Sequence, residues 1–205
     1  MHLNFYQNQP TPTTREKILL AAYQVFAQKD FQNATISEIA QAAGVGDATI
    51  YEYFRNKEEL LFEIPQLVLK GVFEEMNLHM QGIEGAFNKI RKFIWLYFWF
   101  LENNPEWTSI SMLNLRQNPK FFQTKSYDYI REWSRHIIRM VEEGKQEGNI
   151  REDVDPNLVR DLLLGFMEHI AVRWLLMKKP PQLIPLTNSV TEMVTHAIKK
   201  ETDPK

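Results

Sequence analysis

Residues 14–61 read TREKILLAAYQVFAQKDFQNATISEIAQAAGVGDATIYEYFRNKEELL, and this stretch decides the fold. A threonine followed three residues later by a glutamate, the spacing of a capping box, occurs at Thr13 and again at Thr35. Asn56 is a third start signal, since a glutamate follows it at the same distance. Gly44 ends the second predicted helix, because glycine readily adopts the left-handed backbone that a helix end often needs. The pattern predicts three short helices followed by a longer one.

The second and third predicted helices, at about 36–43 and 47–53, are separated only by the turn at 44–46. Helices joined by so short a turn cannot lie parallel, so the third one projects from the other two. This is the arrangement of a helix-turn-helix unit, whose second helix enters the major groove of DNA in many proteins. Capping signals alone leave open the alternative of a plain three-helix bundle without a DNA-binding role.

Two strings distinguish between these alternatives: IAQAAGV at 39–45 and TIYEYFRNKEEL at 49–60. Together they resemble the N-terminal domain of the TetR family of bacterial one-component repressors. The resemblance implies an all-α protein of about nine helices that begins with a three-helix DNA-binding domain. It also implies that the rest of the chain is a helical bundle that binds a ligand and dimerises.

The resemblance further implies which residues contact double-stranded DNA. Five residues that carry a hydroxyl or an ammonium group are expected at or beside the phosphate backbone. Such groups bind phosphate oxygens whatever the base sequence is. These residues are Thr35, Thr49, Tyr51, Tyr53 and Lys57. The base-facing surface is expected to comprise Asp47, Ala48 and Glu52, with Thr49 shared, and Gly46 at the start of the third helix is also expected to contact DNA.

The start of the third helix departs from the family pattern, which usually has a serine, then often a basic residue, then a glycine. Here Gly46, Asp47 and Ala48 occupy these places, and Glu52 stands where an aromatic residue is frequent. The Asp47 carboxylate suits the positive end of a helix and can accept a hydrogen bond from cytosine N4. It also repels phosphate, so the departures leave the base preference open and do not affect the fold.

The charge of the chain limits how it can bind DNA. The whole chain has a net charge of −2, and its first 61 residues carry five basic and seven acidic side chains. A protein that binds DNA by bulk electrostatic attraction is expected to be basic. We therefore expect a few placed contacts from hydroxyls, backbone amides and Lys57, together with weak non-specific affinity.

Composition restricts the class of protein further. The chain has 205 residues, of which 44% are hydrophobic, and it has no cysteine. This composition supports a buried core and excludes disulfides and thiolate metal sites. No signal peptide is visible, and the longest apolar run, Phe93–Leu101, is much shorter than the roughly 20 residues that span a membrane. We expect a cytoplasmic protein with no membrane partner.

Three segments are predicted: a flexible arm at 1–12, the helix-turn-helix domain at 13–61 and a ligand-binding and dimerisation domain at 62–205. The helix that begins near Lys57 contains Pro65, which either kinks it or separates two helices. In the family this helix connects the DNA-binding head to the sensor. Further helices are predicted at 83–102, 105–116, 119–147, 156–177 and 186–200.

Aromatic residues are concentrated in the middle of the chain. Each one singly is more often a core residue, but together they exceed what a small bundle core usually needs. We expect a large apolar cavity for a lipophilic effector. Its predicted lining is Trp95, Phe98, Trp99, Leu113, Arg116, Phe122, Ile130, Trp133, Phe166 and His169.

The stretch LNLRQN at 113–118 resembles the fatty-acyl-responsive branch of the family. This resemblance implies that the effector is a fatty acid or an acyl-CoA. Hydrophobic drugs are the alternative class of effector.

The predicted helix at 156–177 is apolar almost all round and needs burial on two sides. The last helix has a second apolar stripe, and the family forms its dimers through its last two helices. A homodimer also suits a helix-turn-helix protein, because two heads related by a twofold axis read a palindromic operator. The expected dimer contacts are Leu163, Phe166, Ile170, Val190, Met193 and Ala197.

Catalysis finds little support in the sequence. The five histidines are scattered, and no zinc-protease, nucleophile-elbow, P-loop or dinucleotide-binding motif occurs. We expect no catalytic residue, no cofactor and no metal. A helical enzyme that contains a helix-turn-helix is the competing class of protein. An activator would share the architecture of a repressor, and a repressor is our preferred interpretation.

Overall fold

Helices account for most of the chain in the computed structural model, which describes residues 11–29 and 31–201. Most of the arm predicted at 1–12 lies outside the described residues. In the described ranges no strand forms, and a single backbone bridge joins Ile150 to Lys199. The all-α class is confirmed. The helices are α1 (Thr14–Gln28), α2 (Ile36–Ala43), α3 (Asp47–Tyr53), α4 (Lys57–Met80), α5 (Ala86–Asn103), α6 (Pro105–Ser109), α7 (Lys125–Gln146), α8 (Pro156–Met177) and α9 (Thr187–Ile198).

The predicted capping signals are present at the start of the first two helices. At α2 the backbone N–H of Glu38 donates to Thr35 Oγ1 at 3.2 Å, and the Thr35 N–H donates to the Glu38 carboxylate at 3.0 Å. α1 begins with an equivalent box at Thr13. α2 ends at Gly44, whose φ of 70° is the left-handed conformation that favours glycine.

The structure divides into two units that are each discontinuous in sequence. The first unit runs to Glu74 and includes Pro105–Tyr129, and the second comprises Glu75–Asn104 and the chain from Ile130 onward. The boundary at Glu74 lies within α4. The domain boundary predicted at residue 61 divides the chain by sequence, whereas these two units are defined by spatial contacts. The predicted boundary stays a prediction.

The core of the first unit contains the apolar faces of α1, α2 and α3. Ile18, Ile39 and Ile50 are fully buried, and Phe54 directly after α3 is also buried. The Arg15 guanidinium lies 5.0 Å from the centre of the Phe54 ring, which covers the edge of this core with a cation–π contact. The short helices therefore share one apolar interior.

The core of the second unit is rich in aromatic side chains. The rings of Phe93 and Trp133 stack with their centres 4.6 Å apart, and Tyr97 lies 6.3 Å from both. Phe98 on the same helix is fully buried. None of the helices in the described ranges combines the length and the apolar character that crossing a membrane requires.

The structure corrects two predicted helices between α5 and α8. The helix predicted at 105–116 is α6 followed by a π-helical segment, Ile110–Leu115. The helix predicted at 119–147 is a 3-10 helix, Pro119–Gln123, followed by α7. The break occurs because Thr124 is extended and its hydroxyl accepts from the Tyr127 N–H at 3.2 Å, which starts a new helix.

Pro65 lies inside α4, which continues from Lys57 to Met80. The alternative in which Pro65 separates two helices is therefore wrong. A proline inside a helix removes one backbone hydrogen bond and crowds the preceding turn. The buried neighbours Leu61, Ile64 and Val68 hold this part of α4 against the first unit.

Gly144 of α7 provides a test of the packing in the second unit. A Cβ atom there would lie 2.7 Å from Ile150 Cγ1 and 2.9 Å from the Ala86 Cβ, and Ile150 is fully buried. We expect Gly144→Ala to lower the free energy of unfolding by about 1–3 kcal/mol, since an overpacked site must shift its neighbours. Urea unfolding followed by circular dichroism measures this.

The matched control is Gly71→Ala in α4, because a Cβ at Gly71 meets nothing within 4 Å. Replacing a glycine inside a helix with alanine is expected to stabilise by up to about 1 kcal/mol. Equal stability changes for the two variants would contradict the tight packing at Gly144.

Candidate functional site

The outward face of α3 carries most of the predicted DNA-contacting residues. Ile50 is fully buried and fixes the inner face of the helix. Tyr51 is 57% exposed and Tyr53 is 43% exposed, which is unusual for tyrosines without a partner surface. Asp47, Ala48 and Glu52 are also exposed, and Thr49 is half-buried. The seven-residue helix thus presents polar and aromatic side chains outward from a buried anchor.

The start of α3 is organised by a contact between the two helices of the motif. Gly46 has no side chain to cap the helix, and its carbonyl accepts from the Thr49 N–H at 3.0 Å. Asp47 Oδ2 accepts a hydrogen bond from the hydroxyl of Ser37 on α2. Ser37 is a positioning residue that the sequence analysis missed. Its hydroxyl engages one carboxylate oxygen of Asp47 and so fixes this side chain at the start of α3.

Lys57 has a structural role that the sequence analysis also missed. Its ammonium donates to the carbonyls of Phe31 at 2.6 Å, Gln32 at 3.2 Å and Ala34 at 2.7 Å. It also lies 4.6 Å from the centre of the Phe31 ring. An ammonium has three hydrogens, and all three are used here. Lys57 therefore fixes the turn that leads into Thr35, and the predicted phosphate contact competes with these bonds.

The other four cations of the helix-turn-helix domain differ in whether a carboxylate engages them. Arg15 pairs with Glu63, and Lys29 pairs with Glu38. Lys17 and Arg55 are exposed, and neither has an ion-pair partner within the described part of the chain. Arg55 lies in the turn between α3 and α4. Its place beside α3 is readable in the sequence and makes it a candidate phosphate contact.

The Lys29–Glu38 pair gives the head a pH dependence. The hydrogen bond from Lys29, and then the one from the Thr35 backbone, lowers the pKa of the Glu38 carboxyl below its ordinary 4.5. A carboxyl whose pKa is lower in the folded state than in the unfolded state stabilises the fold at any pH above its unfolded pKa. This stabilisation is lost as the pH falls to the lower pKa of the folded state. The contact between α1 and α2 is therefore weakened only in acid.

Hydrogen bonds also connect the start of α4 to the segment at 118–120 within the first unit. The Glu58 carboxylate accepts from Lys120 Nζ at 2.9 Å and from Asn118 Nδ2 at 2.7 Å. The Lys120 bond, followed by the Asn118 bond, lowers the pKa of Glu58. These bonds tie the end of the helix-turn-helix to a part of the chain 60 residues away.

The residues predicted to bind the effector lie in different environments. In the first unit, Leu113 and Arg116 are half-buried and Phe122 is exposed, packed against Tyr127 at 4.8 Å. In the second unit, Phe98 and Trp133 are buried. Trp95, Trp99 and Ile130 are half-buried, and Phe166 and His169 are exposed on α8. Phe98 and Trp133 belong to the packed aromatic core of the second unit, and the lining predicted for the effector stays a prediction.

A polar edge accompanies this aromatic interior. The Tyr97 hydroxyl donates to the Glu168 carboxylate at 3.3 Å. The His136 ring lies 6.5 Å from Trp133, and burial, followed by the nearby Arg139 charge, lowers the pKa of His136 below 6.5. Because the pKa of His136 is lower in the folded state, the unfolded chain takes up a proton at a higher pH than the folded chain does. The free energy of unfolding therefore decreases as the pH falls below 6.5. Sequence analysis did not select His136, because its surroundings come from tertiary packing.

The faces of α8 and α9 leave apolar side chains exposed. A groove of about 500 Å³ lies between them, lined in part by Leu158, Leu162, Phe166 and Met193. Leu162 is 52% exposed and Met193 is 54% exposed. Leu163, in contrast, is 1% exposed and packs into its own chain, so Leu162 replaces it as a candidate dimer contact.

Three other predicted dimer residues differ in accessibility. Val190 lines the groove but is buried, Ile170 is half-buried, and Ala197 is exposed at the groove. Apolar residues lie on almost all sides of α8, and the apolar stripe of α9 includes both buried Val190 and exposed Met193. The sequence periodicity does not separate the inner side from the outer one.

The comparisons agree with this architecture over nearly the whole chain. Residues 18–64 match the family described as bacterial regulatory proteins, tetR family. Residues 66–197 match the C-terminal region of YsiA-like proteins. The chain belongs to the tetR family of bacterial regulatory proteins. It is thus a DNA-binding transcription regulator with a helix-turn-helix domain and a ligand-binding domain.

Relatives with described roles are similar over most of their length. The fatty acid metabolism regulator protein of Bacillus subtilis is 28% identical over 182 residues, which cover 89% of this chain and 94% of that protein. The nucleoid occlusion factor SlmA of Serratia proteamaculans is 27% identical over 165 residues, covering 78% and 82%. These relatives and the fold are those of DNA-binding regulators rather than enzymes.

A solved structure has the same architecture. The crystal structure of the transcriptional regulator FadR from Bacillus subtilis in complex with stearoyl-CoA has a TM-score of 0.79 and 29% identity. The similarity covers 87% of this chain and 96% of that one. The expected family and its similarity to a fatty-acyl branch are both confirmed.

Two substitutions test whether Lys57 serves the fold and whether Arg55 binds phosphate. We expect Lys57→Met to lower the free energy of unfolding by about 1–2 kcal/mol, because three carbonyls lose a charged donor. We expect Arg55→Gln to leave stability unchanged and to reduce the slope of log affinity against log salt by about 1. Thermal unfolding and salt titration of binding to duplex DNA provide the two measurements.

Lys57 and Arg55 serve as controls for each other in this experiment. A Lys57→Met protein of normal stability whose salt slope falls by one would show that Lys57 binds phosphate in the complex. An Arg55→Gln protein with an unchanged salt slope would remove Arg55 from the interface.

Proposed function

We propose that this protein is a repressor that binds a palindromic operator as a homodimer and is released by a lipophilic acyl ligand. The exposed face of α3 supports DNA binding, because Tyr51 and Tyr53 stay in solvent while Ile50 anchors the helix. Asp47 and Glu52 are the proposed base-facing acids. A few placed contacts bind the phosphates, since the head is not basic.

The acyl class of effector is supported mainly by one relative. The Bacillus subtilis FadR, at 29% identity over 87% of this chain, has a structure with stearoyl-CoA. The buried stack of Phe93, Tyr97 and Trp133 in the second unit supplies apolar surface of the kind that an acyl chain fills. Hydrophobic drugs remain the competing effector class, and an activator remains the competing regulatory role.

An effector releases DNA only if it binds the DNA-free state more tightly. A hundredfold preference corresponds to about 2.7 kcal/mol and weakens operator binding by the same factor. We expect stearoyl-CoA to weaken binding to an operator selected from random duplexes. Fluorescence anisotropy of the labelled operator measures this, with free coenzyme A as the control that lacks the acyl chain.

The outcomes distinguish the two parts of the proposal. Release by a hydrophobic cation and not by stearoyl-CoA would overturn the acyl effector and leave DNA binding intact. Failure to select any operator would overturn the regulatory proposal itself. Equal release by free coenzyme A would show that the acyl chain is not the recognised group.

The homodimer is supported by the exposed apolar face of α8 and α9. Soluble monomers rarely expose a contiguous apolar patch of this kind. A second copy of the chain is the occupant that also suits operator recognition, because two α3 helices must reach half-sites about 34–36 Å apart. The proposed interface contains Leu158, Leu162, Phe166, Met193 and Ala197.

A charge on this face should separate the two copies. We expect Met193→Glu or Leu162→Glu to halve the mass measured by light scattering at micromolar concentration and to abolish operator binding. Gln146→Glu on α7 is the control, because it adds the same charge at an exposed position outside the groove. A dimeric Met193→Glu protein, or a monomeric wild type, would contradict the interface.

A further inference from the structure

A second groove lies on the surface of the second unit, where α5 passes the start of α9. Its volume is about 520 Å³, and it shares no lining residue with the groove between α8 and α9. Ile83, Trp95, Ile184 and Pro185 form its apolar walls. Its polar lining consists of Asn88, Arg91, Lys92, Thr187 and Asn188. A groove of this size accommodates a small organic molecule.

The charge of this groove is unbalanced. Arg91 and Lys92 line it, and no aspartate or glutamate does. Within the described residues neither cation has an ion-pair partner, whereas Lys89, one turn earlier on α5, pairs with Glu143. Two uncompensated cations in a chain of net charge −2 concentrate positive potential at one place.

The guanidinium of Arg91 is held in a fixed orientation. Asn188 Oδ1 accepts from Arg91 Nε at 3.2 Å and from Nη2 at 3.0 Å. This uses one edge of the guanidinium and leaves three of its five N–H donors. A guanidinium that is already fixed loses little conformational freedom when it binds an anion. Its planar array of N–H donors also matches the spacing of phosphate oxygens.

The indole of Trp95 holds the second cation that lines the groove. Lys92 Nζ lies 4.2 Å from the centre of the Trp95 ring. Trp95 in turn stacks on Trp99 with their ring centres 6.1 Å apart, which fixes the indole. The cation–π contact positions the ammonium without neutralising it. Two oriented cations match a phosphomonoester, which carries a charge of about −1.5 to −2 at neutral pH.

We propose that this groove binds an organic phosphomonoester about the size of a mononucleotide. The phosphate lies between Arg91 and Lys92, and the organic part lies against Ile184 and Pro185 with Asn88 within reach of its polar groups. The site would give the regulator a second small-molecule input. It does not depend on the acyl effector or on its proposed location.

Isothermal titration calorimetry of the wild-type protein with adenosine monophosphate tests this site, with adenosine and inorganic phosphate as partial probes. We expect the whole nucleotide to bind more tightly than either part. The double variant Arg91→Gln/Lys92→Gln should weaken nucleotide binding by at least about tenfold, because it removes both phosphate partners. The double variant Arg135→Gln/Arg139→Gln on α7 removes the same charge from an exposed surface outside the groove and should bind normally.

Asn188→Asp tests the geometry independently of the cations. The carboxylate keeps an acceptor for Arg91 and so preserves the fold, but it adds a negative charge to the groove. We expect this variant to unfold at the wild-type temperature and to bind the nucleotide several times more weakly. Unchanged binding by Asn188→Asp would place the nucleotide elsewhere.

Several results would overturn the proposal. These are the absence of nucleotide binding at about 1 mM, equal losses in the two double variants, and adenosine binding as tightly as the nucleotide. Inorganic phosphate binding as tightly as the nucleotide would overturn the organic part of the assignment.

Discussion

The structure depends on the burial of two side chains that hold a helix too short to exist alone. α3 has seven residues. An isolated helix of that length is unstable in water, because the unfavourable free energy of nucleation exceeds the stabilisation that so few hydrogen bonds supply. Ile50 within it and Phe54 directly after it are buried against the first two helices. This anchoring frees the opposite face of α3 for DNA. The proposed base contacts of Asp47 and Glu52, which are exposed, thus depend on a core formed by other residues.

Local signals account for what the sequence could predict, and packing accounts for what it could not. The caps at Thr13 and Thr35 and the glycine at Gly44 act within one turn, so they located the first helices correctly. The three partners of Lys57 lie more than 20 residues away and include only backbone carbonyls. A backbone carbonyl has no sequence signature. The choice between Leu162 and Leu163 failed for a related reason, since α8 is apolar on several sides.

Cationic side chains have different roles in different regions of the molecule. In the head, carboxylates or carbonyls engage Arg15, Lys29 and Lys57, so most of the positive charge serves the fold. In the groove beside α9, two cations are oriented by an amide and an indole and meet no carboxylate. The same residue types therefore stabilise structure in one place and offer a binding surface in another. Net charge alone does not reveal this difference.

The enclosure of the Lys57 ammonium also has a consequence for its chemical reactivity. A lysine side chain can reach an electrophile only when its nitrogen turns away from the acceptors that hold it. At Lys57 this requires breaking hydrogen bonds to three carbonyls, whereas the exposed side chain of Lys17 has no such bonds to break. Amine-directed reagents should therefore modify Lys17 quickly and Lys57 slowly. Labelling at Lys57 would report the opening of the turn at 31–34 that leads into Thr35.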